Sequence, residues 1–406
     1  MRGGAETIIN VEEARKIMLQ AASSPGEERL PLLETRGRFS AQNIKASEEL
    51  PAFHQSRRDG YTLSSSDTRG AASDKPLLFP VQGRVLAGDQ PSPRLREGQA
   101  VRIMTGAPLP AGADTVIEEE LVQKKQGGIV LDRELAPGRM VKKRGSELAK
   151  GEEITPQGGR IDSSVINLLA VLGHSRVRVY SLPRVGVITT GDELVRVDQK
   201  RVMRGQKRNS NACYLAAEIE SCGARVELSD PVRDDPNHII KAVKEKSHCE
   251  LLITTGGLAA GDADYMRHCW EQLGVKILIA GINIRPGGSF LFGVKGGQLL
   301  AALPGNPAAV MVLFEIMIKP LIYRLQGARE AGPIKKTALL SAPLKNNKNC
   351  AYLRQGILYE QEGVNLVIPV DEPYLKASLK ANALISVPPA TKALKTGERV
   401  TLYSLK

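Results

Sequence analysis

Aromatic side chains are scarce in this chain: they make up 4% of its 406 residues, with a single tryptophan. That argues against a stacking platform for single-stranded nucleic acid, where successive bases rest on aromatic faces. No apolar run is long enough to cross a bilayer. The opening MRGGAETIIN lacks the basic-then-apolar pattern of a secretory leader, so a cytoplasmic location is expected. Cysteine is sparse as well. Cys213, Cys222, Cys249, Cys269 and Cys350 are odd in number and show no CxxC spacing, which points to reduced, mostly structural thiols. The five histidines form no HExxH or other zinc pattern. His268 and Cys269 are adjacent, and neighbours on a helix point apart.

What is present describes a folded, multidomain protein. Hydrophobic residues make up 42%, and the length favours two to four domains. The net charge of +12 fits nucleic acid, a membrane surface, an anionic small substrate, or simply a solvated basic face. Part of it is clustered in RVDQKRVMRGQKR, residues 196–208. With few aromatics and no nucleic-acid motif, neither DNA nor RNA is expected as a partner.

The chain changes texture along its length. In NVEEARKIML, Asn10 is placed as a helix N-cap with Glu13 three residues on, and Val11, Ala14, Ile17 and Met18 share one face. Residues 1–46 and 146–182 read as an N-terminal linker and helical domain, and 47–145 as a small all-β domain of short strands and Gly/Pro turns. Residues 183–327 alternate apolar strands with helices, the mark of a three-layer α/β domain with a largely parallel sheet. Here Asn211 is expected to open a helix ended by Gly223, and Pro320 to kink the last helix. Residues 328–406 read as a second small β domain. The fold class is therefore α/β plus β, with small β domains on both sides of the α/β domain.

Ligands of such a sheet bind at the C-terminal ends of its strands, where three glycine-rich loops fall. The loop TTGGLAAGDAD follows an apolar strand. Gly256 and Gly257 let backbone amides approach an anion, the next helix start adds partial positive charge, and Thr254 and Thr255 offer hydroxyls. It is neither a Walker loop nor a dinucleotide fingerprint. It ends in Asp262 and Asp264, which either cap that helix or hold a cation. A second loop, TTGDELV, carries Thr190, Gly191, Asp192 and Glu193. Two acidic loops at neighbouring strand ends suit one Mg2+ bridging carboxylate and phosphate oxygens; ordinary turns are the alternative. The third loop, LPGNPAAV, has Gly305 for a sharp turn, Asn306 as cap and Pro307 at the first helical position.

DGY at 59–61, VRIMTGAPLPAGADTVI at 101–117, VGVITTGDEL at 185–194, TTGGLAAGDADY at 254–265 and LPGNPAAV at 303–310 occur in an order and spacing that resembles the molybdopterin molybdenumtransferase (MoeA) family, which includes the gephyrin E domain. The resemblance spans essentially the whole chain. It implies four domains, an elongated homodimer, and an enzyme that inserts molybdate into adenylylated molybdopterin with release of AMP and a divalent cation, Mg2+, taking part. It also implies transient contact with the molybdopterin adenylyltransferase and with molybdoenzyme apoproteins. By motif, the implied catalytic residues are Asp59, Thr105, Glu193, Asp234, Asp264 and Arg285, with Glu193, Asp234 and Asp264 as metal ligands. The implied pterin-binding residues are Thr190, Gly191, Thr255, Gly256, Gly257 and the loop Pro304, Gly305, Asn306, Pro307, with Arg354 and Ser378 closing the cleft.

Several positions depart from the family pattern. His54, Gln55, Arg57 and Arg58 precede Asp59; Arg285, Gly288 and Gly281 stand where lysines are usual; Glu147 and Asn209 stand where aspartates are usual. Arginine for lysine keeps the charge and changes its geometry. The alternative reading is a catalytically altered paralogue that acts as a molybdopterin-binding or scaffold protein.

Overall fold

The computed structural model describes residues 9–23, 26–89, 94–258, 263–346 and 349–405, without the side chains of 263–265. The chain forms two compact units. The smaller comprises residues 43–156 and 167–174; the larger comprises the segment up to residue 42, residues 157–166, and residues 175–406.

The smaller unit is built on a six-stranded sheet. Its spatial order is Thr115–Glu118, Gly60–Leu63, Ala100–Ile103, Leu77–Val85, Gly128–Leu131, Gln123–Lys125. Leu63, Ile103, Ile117, Ile129 and Leu131 fill its core. Gly60 is required where it stands: a Cβ there would lie 1.9 Å from the Ile117 carbonyl oxygen. That close approach seats Asp59 at the mouth of the strand.

The larger unit contains the α/β layers. Its central sheet has strands β1 (Arg184–Thr189), β2 (Arg225–Leu228), β3 (Leu251–Thr255), β4 (Lys276–Ala280), β5 (Leu291–Lys295) and β6 (Gln298–Leu303), in the spatial order β2-β1-β3-β6-β5-β4. β2, β1, β3 and β6 run parallel; β5 pairs antiparallel with both β6 and β4, so β5 alone runs against the rest. β3 and β6 are buried along their whole length, which explains why their sequences lack alternation. Alternate residues feed two cores. On one face Val185, Val187, Leu251 and Ile253 pack with Leu215, Ile219 and the helical run after Pro307; the helix α1 (Val11–Ala21) joins them through Ala14 and Met18. On the other face Ile188, Leu252 and Leu300 pack with Ile239, Val243, Met266 and Trp270. Three layers result.

Asn10 caps α1, its side-chain oxygen accepting the Glu13 amide at 2.9 Å. The next helix of the sheet, α2 (Ser210–Ser221), starts earlier than its sequence suggests: Asn209, not Asn211, is its cap and accepts the Ala212 amide. Both asparagines suit a cap locally, but only Asn209 is also buried against β1, donating to the Thr189 hydroxyl at 2.7 Å. The helices α3 (Pro236–Glu245) and α4 (Ala263–Gln272) cover the second face. The last helical run is interrupted by a π-segment at Phe314–Ile318, which ends two residues before Pro320. Proline lacks an amide hydrogen and crowds the carbonyl four residues back, and a wider turn accommodates both.

Residues 335–404 form a sheet that closes on itself through pairing of Ala351–Gln361 with Ala383–Val387. Its eleven-residue strand Ala351–Gln361 is longer than the short strands expected for this segment. It stays continuous because it pairs on both sides, and at Gly356 the neighbours Ile385 and Val367 leave no room for a Cβ. The short strand Ile284–Arg285, from the α/β part of the chain, adds to this sheet beside Ala351 and Tyr352. No helix among the described residues is long and apolar enough to cross a membrane.

Candidate active site

The parallel run of β1, β3 and β6 brings their three C-terminal loops together. The Thr190 amide donates to the Thr255 carbonyl at 2.8 Å, and the Gly256 amide to the Leu303 carbonyl at 3.1 Å. Asn211, freed from capping duty, donates its side-chain amide to the Gly305 carbonyl at 2.9 Å and ties the third loop to α2. Asn306 caps the last helical run by accepting the Ala308 amide, with Pro307 at its first position.

Gly256 holds a backbone angle φ of +101°, and a Cβ there would meet the Thr190 carbonyl oxygen at 2.4 Å. Gly257 is at +66° with more room. The two loops can therefore approach this closely only because residue 256 has no side chain. Thr254 and Thr255 are buried at the end of β3, and the Thr254 hydroxyl has no hydrogen-bond partner among the described residues.

The acid of the site comes from two segments. The Gly191 amide donates to the Val232 carbonyl, and the Val232 amide to the Thr189 carbonyl, which fastens residues 232–234 beside the loop after β1. Asp234 thereby faces Asp192 and Glu193. Partial desolvation pushes the carboxyl of the exposed Asp234 above its usual range, the Asp192 and Glu193 charges push it further, and the nearby Thr190 hydroxyl offsets part of the rise. That hydroxyl is itself buried without a full hydrogen bond. Asp192, Glu193 and Asp234 offer oxygen donors only, of the kind that suits a hard divalent cation such as Mg2+, though their ligand atoms do not all converge within 4.8 Å of one another. Glu193 and Asp234 are the residues that would hold it. The third ligand expected from the sequence, Asp264, lies with Asp262 outside the described side chains.

Arg285, on the short strand that joins the C-terminal sheet, lines a cavity of 480 Å³ with Pro286, Ala308, Lys345, Tyr352 and Tyr374. Lys345 adds a second cation to this wall, and no motif flagged it. Its place depends on the pairing of Ile284–Arg285 with Ala351–Tyr352, a contact between distant stretches of chain. Gly288, where the family pattern has lysine, sits in a loop closed by bonds from the Ile282 and Phe290 amides to its carbonyl. A Cβ there would lie 3.1 Å from the Ile284 carbonyl oxygen.

Arg354 and Ser378 do not share one wall. Arg354 donates to Asp371 at 2.7 Å and to the Tyr352 hydroxyl at 3.2 Å. Ser378 bonds back to the Leu375 carbonyl and lines a separate cavity with Tyr214, Glu218 and Glu315. The basic run is largely solvated: Arg196 pairs with Asp198 and Asp230, and Arg208 folds back on the Val197 and Gln199 carbonyls.

In the smaller unit, Asp59 and Thr105 meet. Both the amide and the hydroxyl of Thr105 donate to one Asp59 oxygen, at 2.8 and 2.7 Å. These two bonds, with a smaller contribution from the charge of Arg102, hold the Asp59 carboxyl below its usual range. His54 accepts the Arg144 amide, and Glu118, held below its usual range against partial burial by its own backbone and by Arg139 at 2.6 Å, takes a smaller contribution from Arg58.

Known proteins resemble this chain along its whole length. The family model described as the MoeA N-terminal region (domains I and II) matches residues 9–173, and that of a probable molybdopterin-binding domain matches residues 186–324. A molybdopterin molybdenumtransferase of Bacillus subtilis is 33% identical over 408 residues, covering 98% of this chain and 95% of that protein. One of Staphylococcus epidermidis is 32% identical over 399 residues, covering 97% and 95%. The crystal structure of a molybdopterin biosynthesis MoeA protein of Pyrococcus horikoshii superposes with a TM-score of 0.83 at 28% identity, covering 98% of this chain and all of that one.

Proposed function

This chain belongs to the molybdopterin molybdenumtransferase family, and from that membership and the three-loop site we propose that it inserts molybdate into adenylylated molybdopterin and releases AMP. The observation that carries the reading is the placement of Asp192, Glu193 and Asp234 against a glycine-rich loop whose amides suit a phosphate. An anion site with acid beside it is self-defeating unless a cation joins the two. Adenylylated molybdopterin supplies the pyrophosphate, and Mg2+ when bound supplies charge neutralisation between it and the carboxylates.

The protein's own part is positioning and charge compensation. The Gly256 amide is spent on the Leu303 carbonyl, so the backbone from Gly257 is what is offered to phosphate oxygens, beside the turn Pro304–Gly305. Thr190, Gly191 and Thr255 fix the floor between the two loops. Arg285 and Lys345 offer positive charge to an oxyanion, the class to which molybdate belongs. Asp59, kept ionised by Thr105, orients a reacting group. We propose further that the chain acts as a homodimer, with transient contacts to the molybdopterin adenylyltransferase and to molybdoenzyme apoproteins. Sedimentation of the purified chain tests the first of these.

The reading is tested by mixing the protein with adenylylated molybdopterin and Mg2+, with and without molybdate. Molybdate-dependent AMP release supports it. Tight pterin retention with no AMP release would favour an altered paralogue that binds the cofactor precursor without converting it.

A further inference from the structure

At the opposite end of the central sheet from the loop site, three side chains of different chemistry converge. Glu227 is on β2, the sheet's edge strand, and His248 and Cys249 are in the turn that feeds β3. One ligand atom from each, a carboxylate oxygen, an imidazole nitrogen and the thiol sulfur, lies within 4.8 Å of the other two. His248 Nε2 is 2.9 Å from the nearer Glu227 oxygen. A tetrahedral zinc-type ion with bonds of about 2.0–2.3 Å holds its ligand atoms roughly 3.3–3.8 Å apart. The Glu227–His248 pair is closer than that spacing, as a hydrogen bond is, and the sulfur lies within 4.8 Å of both, so a small opening of the pair reaches it.

The backbone leaves a gap for them. Glu227 pairs in register with Gly186 of β1, so their side-chain positions share a face. A Cβ on Gly186 would lie 3.3 Å from the Cys249 sulfur and 2.9 Å from a Leu252 methyl. The absence of that Cβ is what lets the thiol sit between the two strands. A cavity of 560 Å³ lined by His248, Cys249, Glu250 and Gln298 gives an ion a route in. The competitor is Lys246, whose ammonium is 3.2 Å from Glu227. A doubly charged ion bound to one thiolate and one carboxylate is neutral overall, so the lysines nearby, Lys244 and Lys295, do not repel the finished site.

We propose that Glu227, His248 and Cys249 bind a borderline-soft divalent cation of the zinc class, with water as the fourth ligand. On binding, the thiol gives up its proton to solvent, the imidazole is held neutral, and Lys246 releases Glu227. The bound ion would tie edge strand β2 to the entry of β3 across β1. It is separate from the oxygen-only Mg2+ site of the proposed reaction, since nitrogen and sulfur ligands select a different metal.

The test is a Co2+ titration of the full-length, chelator-treated protein, followed by the sulfur-to-cobalt charge-transfer absorbance. One equivalent of a tetrahedral thiolate complex is expected, displaced by Zn2+. Cys249→Ser abolishes the band, and His248→Asn, a change at an exposed side chain, weakens Co2+ binding about tenfold or more. Circular dichroism of both variants shows that they fold. A titration with no thiolate band overturns the proposal, and so does a band that survives in Cys249→Ser, which would place the ion on another cysteine such as the exposed Cys213.

Discussion

Thr105 gives both its amide and its hydroxyl to a single oxygen of Asp59, at 2.8 and 2.7 Å. An exposed aspartate has no need of two donors on one oxygen for the sake of the fold. The arrangement fixes the carboxylate's direction and leaves its second oxygen free to act. Thr105→Val, which keeps the backbone donor and loses the hydroxyl, is expected to leave the melting temperature nearly unchanged. It should slow molybdate-dependent AMP release by roughly 10²-fold, the scale of a misplaced catalytic group, while Thr105→Ser restores it.

The same pair sets a pH dependence. The folded-state pKa of Asp59 is depressed, so whatever the ionised form contributes is present above the unfolded pKa and is lost as pH falls through the folded one. In Thr105→Val the carboxyl moves back up toward its ordinary value. The acid limb of the activity profile should therefore move to higher pH, and a profile that coincides with wild type would remove Asp59 from the ionisations that matter.

Asp234 behaves in the opposite sense. Its pKa is raised, so above that pKa the folded protein carries a charge it holds less comfortably than the unfolded chain does. Without ligand, Asp234→Asn should raise stability at neutral pH by roughly a few tenths of a kcal/mol, because the residue is largely exposed and screened. Calorimetry with and without Mg2+ checks this. Wild type should gain stability on adding Mg2+, and Asp234→Asn should gain less.

Gly256 and Gly257 separate loop geometry from loop space. Gly256→Ala combines a positive φ with a clash against the Thr190 backbone and should cost about 1–3 kcal/mol and abolish pterin binding. Gly257→Ala meets only ordinary contact at 3.5 Å from a Met266 methyl. It should cost about 1–2 kcal/mol, the left-handed backbone penalty alone, and retain partial binding. Chemical denaturation and fluorescence binding of the pair check the contrast.

Thr190→Val is a further probe. The hydroxyl is buried without a full hydrogen bond, so its removal should leave the unliganded protein no less stable. If that hydroxyl serves a ligand, pterin affinity falls by about 5–10-fold, the net value of one hydrogen bond. Unchanged affinity would show that the hydroxyl faces no ligand.

Much of this site was legible in the sequence because its signals are local. A glycine pair after an apolar strand, an Asn-Pro helix start, and strands without polar alternation each report on a few neighbouring residues, and the three-layer architecture follows from their order. What escaped depends on contacts between distant stretches. Lys345 reaches the Arg285 cavity only because a two-residue strand joins the C-terminal sheet. Glu193 and Asp234 are grouped in the sequence only by the family resemblance; the contact that puts them side by side, the Val232 amide reaching Thr189, is not local. The choice between Asn209 and Asn211 as cap was decided by burial against Thr189, which no local pattern encodes. Arg354 and Ser378 were paired by motif, but the strand and the short helix that carry them turn the two side chains to different surroundings.

The central claim is that the acid at the strand ends holds a cation on the substrate's pyrophosphate. The most direct measurement is the Mg2+ dependence of AMP release in a single turnover, with adenylylated molybdopterin and molybdate fixed, for wild type, Glu193→Gln and Asp234→Asn. Wild type should saturate with Mg2+, and each variant should need about tenfold more Mg2+ or more to reach half its own maximum, as expected for the loss of one charged ligand worth about 1.4 kcal/mol or more. Three superimposable Mg2+ curves would contradict the account and leave these carboxylates as ordinary turn residues.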